Sequence, residues 1–120
     1  MSQIVVGNDV ALQNGVVHSI QIISSNLTIT STTGSTGGHS YMIGVDTSSS
    51  AITVTLPSDS SRTNGRVYYI FDSVGSANTN NITINGNSKN ISGNSTFVIT
   101  SKYNAVTVVY SSSSNQWLVV

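Results

Sequence analysis

Cysteine is absent from the chain, as is glutamate, and only one proline occurs in 120 residues. Without cysteine there are no disulfides, no thiolate metal ligands and no cysteine nucleophile. Four Asp, four Lys or Arg and two His make up the whole ionisable set apart from tyrosines and termini, and the formal net charge is zero. Arg62, Arg66, Lys89 and Lys102 are scattered among Asp9, Asp46, Asp59 and Asp72. No basic patch of the kind that nucleic acid or an anionic membrane surface requires is formed, so neither is an expected partner. No apolar run approaches the roughly 20 residues that span a bilayer. The opening Met-Ser-Gln-Ile-Val-Val has neither the charged region nor the long apolar region of a signal peptide. A protein without an export signal or membrane anchor is the expectation.

Chemistry that depends on clustered ionisable groups has little to work with. His18 and His39 are the only imidazoles. His18 falls in an alternating segment, which favours a surface or interface role over catalysis, and His39 follows Gly37-Gly38, where a ligand contact is conceivable. No His, Cys or carboxylate spacing suits zinc, and four separated Asp cannot furnish a calcium loop. Asp59 and Asp72 stand beside turn residues, where Asp is favoured for its local hydrogen bonds, so a glycosidase acid pair is not expected. The Gly-rich stretch Ser35 to Ser40 leads into a strand, whereas a phosphate loop leads into a helix. The reading is a non-enzymatic protein with no catalytic residue, no cofactor and no metal.

What the chain does have is neutral polarity and strand chemistry. Ser, Thr and Asn contribute 23, 14 and 13 residues. Four Asn-x-Ser/Thr triplets, at Asn26, Asn81, Asn90 and Asn94, follow from that composition. Helix formers are scarce, and apolar residues do not recur at helical spacing. Short segments rich in Ile, Val, Thr, Tyr and Phe alternate instead with Ser, Asn and Gly clusters. At this length a single domain is expected, able to hide roughly 65% of its unfolded surface without covalent help.

Asn14-Gly15 between β-prone runs predicts a hairpin over Val10 to Ile23, and Leu27 to Thr30 alternates as a strand. The Ser31 to Gly38 run has nothing to bury and predicts a loop. Further strands are predicted at Tyr41 to Val45, at Ile52 to Leu56 ending before Pro57, and at Arg66 to Phe71. Others are predicted around Ile82 and Ile84, around Phe97 and Ile99, at Ala105 to Tyr110 and at Gln116 to Val120. Thr28/Thr30 and Thr53/Thr55 resemble ice-binding ladders, yet no fixed repeat supports that use. The fold expected is an all-β, antiparallel β-sandwich of jelly-roll type.

Three segments carry apolar residues on both faces: Val67 to Phe71, Ala105 to Tyr110 and Trp117 to Val120. A sandwich strand has one face in water, so the second apolar face predicts coverage by another copy of the chain. The predicted interface residues are Val67, Tyr69, Phe71, Val106, Val108, Tyr110, Trp117 and Val119.

One ordered series is less generic. Ala51-Ile52-Thr53-Val54-Thr55-Leu56-Pro57-Ser58 is followed by Asn64-Gly65-Arg66-Val67-Tyr68-Tyr69-Ile70-Phe71-Asp72 and then by Asn80-Asn81-Ile82-Thr83-Ile84-Asn85-Gly86. Ile91-Ser92-Gly93, Thr96-Phe97-Val98-Ile99 and the closing Tyr110 to Val120 with its late Trp117 complete it. Over residues 40–120 this resembles β-modules of bacteriophage tail fibres, head fibres and related virion surface proteins. The resemblance implies a trimer, contact with other virion proteins, and a part in particle architecture or host attachment. Residues 1–30 lie outside it, and Ile4, Val5, Val6, Val10 and Leu12 form an apolar stretch suited to anchoring. Two other readings stand beside it. One is a carbohydrate-binding, lectin-like domain using Tyr41, Tyr68, Tyr69, Tyr103 or Trp117 as sugar platforms. The other is a fragment of a bacterial surface adhesin. The receptor-binding residues, and whether a host glycan is bound, are not specified by the sequence.

Overall fold

A computed structural model describes residues 5–6, 9–10, 18–31 and 41–120. Among these there is no helix, and hence none long and apolar enough to cross a membrane. Eleven strands occur: β1 (Val5–Val6), β2 (Asp9–Val10), β3 (Ile20–Ile23), β4 (Leu27–Thr28), β5 (Met42–Val45), β6 (Ile52–Thr55), β7 (Val67–Asp72), β8 (Ile82–Asn85), β9 (Thr96–Ile99), β10 (Ala105–Ser111) and β11 (Gln116–Val119). β1 and β2 pair with each other. The rest form a five-stranded sheet in the order β11-β10-β7-β5-β3 and a four-stranded sheet in the order β4-β6-β8-β9.

From β3 to β8 the chain places successive strands in alternate sheets. Each pass through one sheet is followed by a pass through the other, so the strand that returns lies parallel to its predecessor. β3, β5 and β7 are therefore parallel neighbours, as are β4, β6 and β8. Parallel pairs need a long crossover, commonly a helix; here a strand of the opposite sheet and its two connecting arches serve. After β8 the winding stops. β9 turns back antiparallel on β8, and β10 and β11 add antiparallel to β7.

This departs from the antiparallel, jelly-roll-like sandwich that the turn signals predict: both sheets are mixed. Alternation and turn residues mark where strands lie and say little about their direction. No fixed repeat is visible because the coils differ in length. Ile20, Met42 and Tyr69 lie side by side at offsets of 22 and 27 residues, and Leu27, Val54 and Ile84 at offsets of 27 and 30. Ile20–Ile23 takes β5 as its partner and Val10 takes Val5. The Asn14-Gly15 turn, most of the Ser31 to Gly38 run, His39, and the side chains of the N-terminal apolar stretch lie outside the described residues.

One hydrophobic cluster joins the two sheets. Ile43, Val45, Tyr68, Ile70, Val106, Val108 and Trp117 come from the five-stranded sheet, and Ile52, Val54, Ile82, Ile84 and Ile99 from the other. Every second residue of β6, β7, β8 and β10 is buried, as the two-residue period of a strand requires. At about 25 cal/mol per Å² of apolar surface removed from water, each fully buried Ile or Val contributes roughly 1.5–3 kcal/mol.

Candidate functional site

The strand parity that builds the core also fixes what faces outward. On the five-stranded sheet, register aligns Ile22, Gly44, Phe71 and Ala105 in one row and Ile20, Met42, Tyr69 and Thr107 in the next. Val67, Val109 and Leu118 form a third. Ile20 and Ile22 are 53% and 57% exposed on an edge strand, and the Tyr69 and Phe71 rings lie 5.6 Å apart. Gly44 is the floor of this face. A Cβ there would meet Ile22 Cδ1 at 2.5 Å and the Phe71 ring at 2.9 Å, so only glycine lets those two side chains close over the strand. No charged side chain stands in the three rows.

The predicted interface set divides across this sheet. Val67, Tyr69 and Phe71 are on the outer face. Val106, Val108, Tyr110 and Trp117 point inward and belong to the core, while Val119 shares their parity at the sheet's edge and is 39% exposed. The outward residues of β10 and β11 are Ala105, Thr107, Val109, Ser111, Gln116 and Leu118. Trp117 is fully buried, with the Tyr110 ring edge-on at 5.2 Å and the Tyr68 ring at 5.8 Å, so neither it nor Tyr68 is a sugar platform.

The outer face of the four-stranded sheet is different in kind. Thr28, Thr55, Asn85 and Thr96 lie in one row and Thr53, Thr83 and Val98 in another. Five of these seven are threonine, and Asn85 and Val98 interrupt the array.

The ends of the sandwich carry the ionisable groups. At one end Asp72 ends β7 and is buried; burial pushes its pKa up, but backbone amides of Tyr103, Ala77, Val74 and Ser76 outweigh that and hold it below the usual carboxylate value. Its two oxygens thereby tie the 73–77 loop to Tyr103. Asp46, at the same end, is lowered by the hydroxyl and amide of Ser48. At the other end the Ser61 hydroxyl, with the amides of Ser31 and Ser61, brings Asp59 down to about 2. Asp59 and Asp72 thus stand at opposite ends as loop anchors and do not form an acid pair. Among the described residues no three His, Cys, Asp or Glu come together where a metal could sit.

Two depressions lie at the Asp59 end. A shallow one of about 510 Å³ is lined by Tyr41, Thr63, Asn64, Gly65, Arg66 and Val67. The exposed His18 ring meets Tyr41 edge-on at 4.7 Å, which accounts for His18 as a packing group. The other, of about 330 Å³, lies between the β8–β9 and β10–β11 connections and is lined by Ser88, Lys89, Asn90, Gly93 and residues 114–116. Sequence reasoning passes over this second depression because no motif marks it. The available signal is the density of Asn, Ser and Gly in residues 85–95 and 111–115, residues that favour turns and tolerate left-handed backbone.

No protein-family model and no curated protein matches the chain.

Proposed function

We propose that the chain is a non-enzymatic structural protein of a virus particle, a capsid decoration, spike or short fibre component. In this reading it assembles as a homotrimer, contacts other virion proteins, and contributes to the particle's surface and to host attachment. The observation that carries the assembly is the outer face of the five-stranded sheet, where Ile20, Ile22, Met42, Tyr69, Phe71, Val109 and Leu118 stand together without a charge. Contiguous exposed apolar surface of this kind marks an interface, and a second copy offers it a matching neutral partner. The virion assignment rests on the resemblance of residues 40–120 and on a neutral hydroxyl and amide surface that stays soluble across salt and redox conditions.

Light scattering coupled to size exclusion tests the assembly directly: the expected mass is three times 12.5 kDa, and a monomer at micromolar concentration overturns the reading. The second reading, a carbohydrate-binding domain, is favoured by the polar depression at the Asp59 end.

A further inference from the structure

We infer that the depression between the β8–β9 and β10–β11 connections is a binding site for a carboxylate-bearing saccharide, with Lys89 as the group that receives the carboxylate. This does not rest on the assembly reading, because the site lies at the strand ends, away from the apolar sheet face.

The walls supply the chemistry. Every lining residue except Gly93 has a polar side chain, and the set combines hydroxyls, side-chain amides and one ammonium. Hydroxyls and amides both donate and accept, which is what vicinal sugar hydroxyls need. A single unneutralised cation matches a single carboxylate. Lys89 Nζ donates to the neutral Asn115 Oδ1 at 2.6 Å and has no ion pair among the described residues. The surroundings add to its field. Arg62 donates to the Asn87 carbonyl at 3.2 Å with its guanidinium 5.8 Å from the Tyr110 ring centre, which places a second cation beside the same turn. Arg66 is at this end as well, donating to the Ser61 carbonyl. The one carboxylate here among the described residues, Asp59, is already engaged by Ser31 and Ser61. Three of the chain's four Lys and Arg therefore gather at one end, against a single carboxylate among the described residues.

The backbone points to the same place. Of the five non-glycine residues with positive φ among the described residues, Asn87, Ser88, Ser92 and Asn115 are in these two connections, and Gly93 at φ 89° follows Ser92. Left-handed backbone is uncommon outside glycine, although Asn adopts it readily in turns, and it is found clustered at ligand clamps. Here the turn is locked: Gly86 admits the Lys89 carbonyl where any Cβ would collide with it, Gly93 N donates to Gln116 Oε1 at 2.9 Å, and Asn87 N donates to Asn85 Oδ1 at 2.8 Å. The side chains of Ser88 and Asn90 are exposed at the rim and make no hydrogen bond among the described residues. A rigid rim with free polar groups is preorganised for a ligand.

The test is a titration of the full chain, followed by amide chemical shifts, with galacturonate and glucuronate oligosaccharides, the matching neutral oligosaccharides, and inorganic sulfate. Saturable shifts at Lys89, Asn90, Gly93 and Asn115 are expected with the acidic sugars. Affinity for the neutral sugars and for sulfate should be at least tenfold weaker. Lys89→Gln should reduce acidic-sugar affinity at least tenfold. Asn115→Gly, which keeps the left-handed backbone and removes the amide that positions Lys89, should reduce it severalfold; retained shift dispersion elsewhere reports that both variants fold. Absence of saturable shifts with every acidic sugar, binding unchanged in Lys89→Gln, or sulfate binding as tightly as the sugars would each overturn the assignment.

Discussion

The two sheets present outer faces built on the same strand geometry and from opposite chemistry. β5, β7, β10 and β11 turn Met42, Tyr69, Phe71, Val109 and Leu118 outward, whereas β4, β6, β8 and β9 turn out Thr28, Thr53, Thr55, Thr83 and Thr96. Both sets suit a pleated strand, since β-branched and aromatic residues favour that backbone whether or not they are wetted. Propensity therefore explains why both are strands and says nothing about their difference. The difference lies in hydration: a threonine hydroxyl keeps its water, and an Ile or Phe side chain in the same position gains by losing it. One face is suited to remain in solvent and the other to be covered.

The largest expected effect of breaking this contrast is on assembly. Tyr69→Asp places a charge in the middle of the apolar rows and should convert the proposed oligomer to monomer in a light-scattering measurement, while Thr55→Asp on the opposite face should leave the mass unchanged. An oligomer that survives Tyr69→Asp would remove the distinction. A smaller effect is expected at Gly44. Its side-chain-free surface is occupied by Ile22 and Phe71, so Gly44→Val should destabilise by about 1–3 kcal/mol in denaturant unfolding through overpacking.

Acid separates stability from association, because among the described residues no carboxylate stands on either face. The folded-state pKa values of Asp46, Asp59 and Asp72 all lie below the usual value, so these groups stabilise the fold fully above pH ~4 and lose that contribution as protons bind. For Asp59 the loss extends down to about 2. Thermal unfolding should therefore be nearly constant from pH 7 to 5 and fall between about pH 4 and 2, and Asp72→Asn should flatten that fall. The mass of the proposed oligomer should not change between pH 7 and 5. The smallest effect is expected for Thr53→Val with Thr83→Val, which extends the row of Val98: stability should stay within about 0.5 kcal/mol, with solubility in ammonium sulfate reduced.

Most strands are legible in the sequence for a reason that also limits the reading. Ile52, Val54 and Leu56 alternate with threonines, so both the strand and its inward face can be read directly. Val67 to Phe71 and Ala105 to Tyr110 are apolar at every position or nearly so, and parity there carries no label. That is why Val106, Val108 and Tyr110 are indistinguishable from Val109 and Ala105 until register to β7 is known. Winding is hidden for another reason. Strand direction depends on which sheet the next strand joins, and arches such as 46–51 and 73–81 have the same Ser, Asn and Gly composition as hairpin turns. The polar depression is assembled from connections more than 20 residues apart in sequence, each unremarkable alone.

The alternation of β3 to β8 between sheets also has a consequence in time. β10 and β11 are separated by residues 112–115 only, and their pairing can form early from local contacts. Ile20 must find Met42 and Met42 must find Tyr69 across whole coils, and such non-local closures slow folding. During synthesis the N-terminal coil leaves the ribosome first and must wait for strands not yet made, with Ile20 and Ile22 uncovered meanwhile. Pulse-labelled hydrogen exchange should accordingly record protection at Val109 and Leu118, which face each other across β10 and β11, before Ile23, whose backbone faces β5. The part of the chain made first is the part completed last.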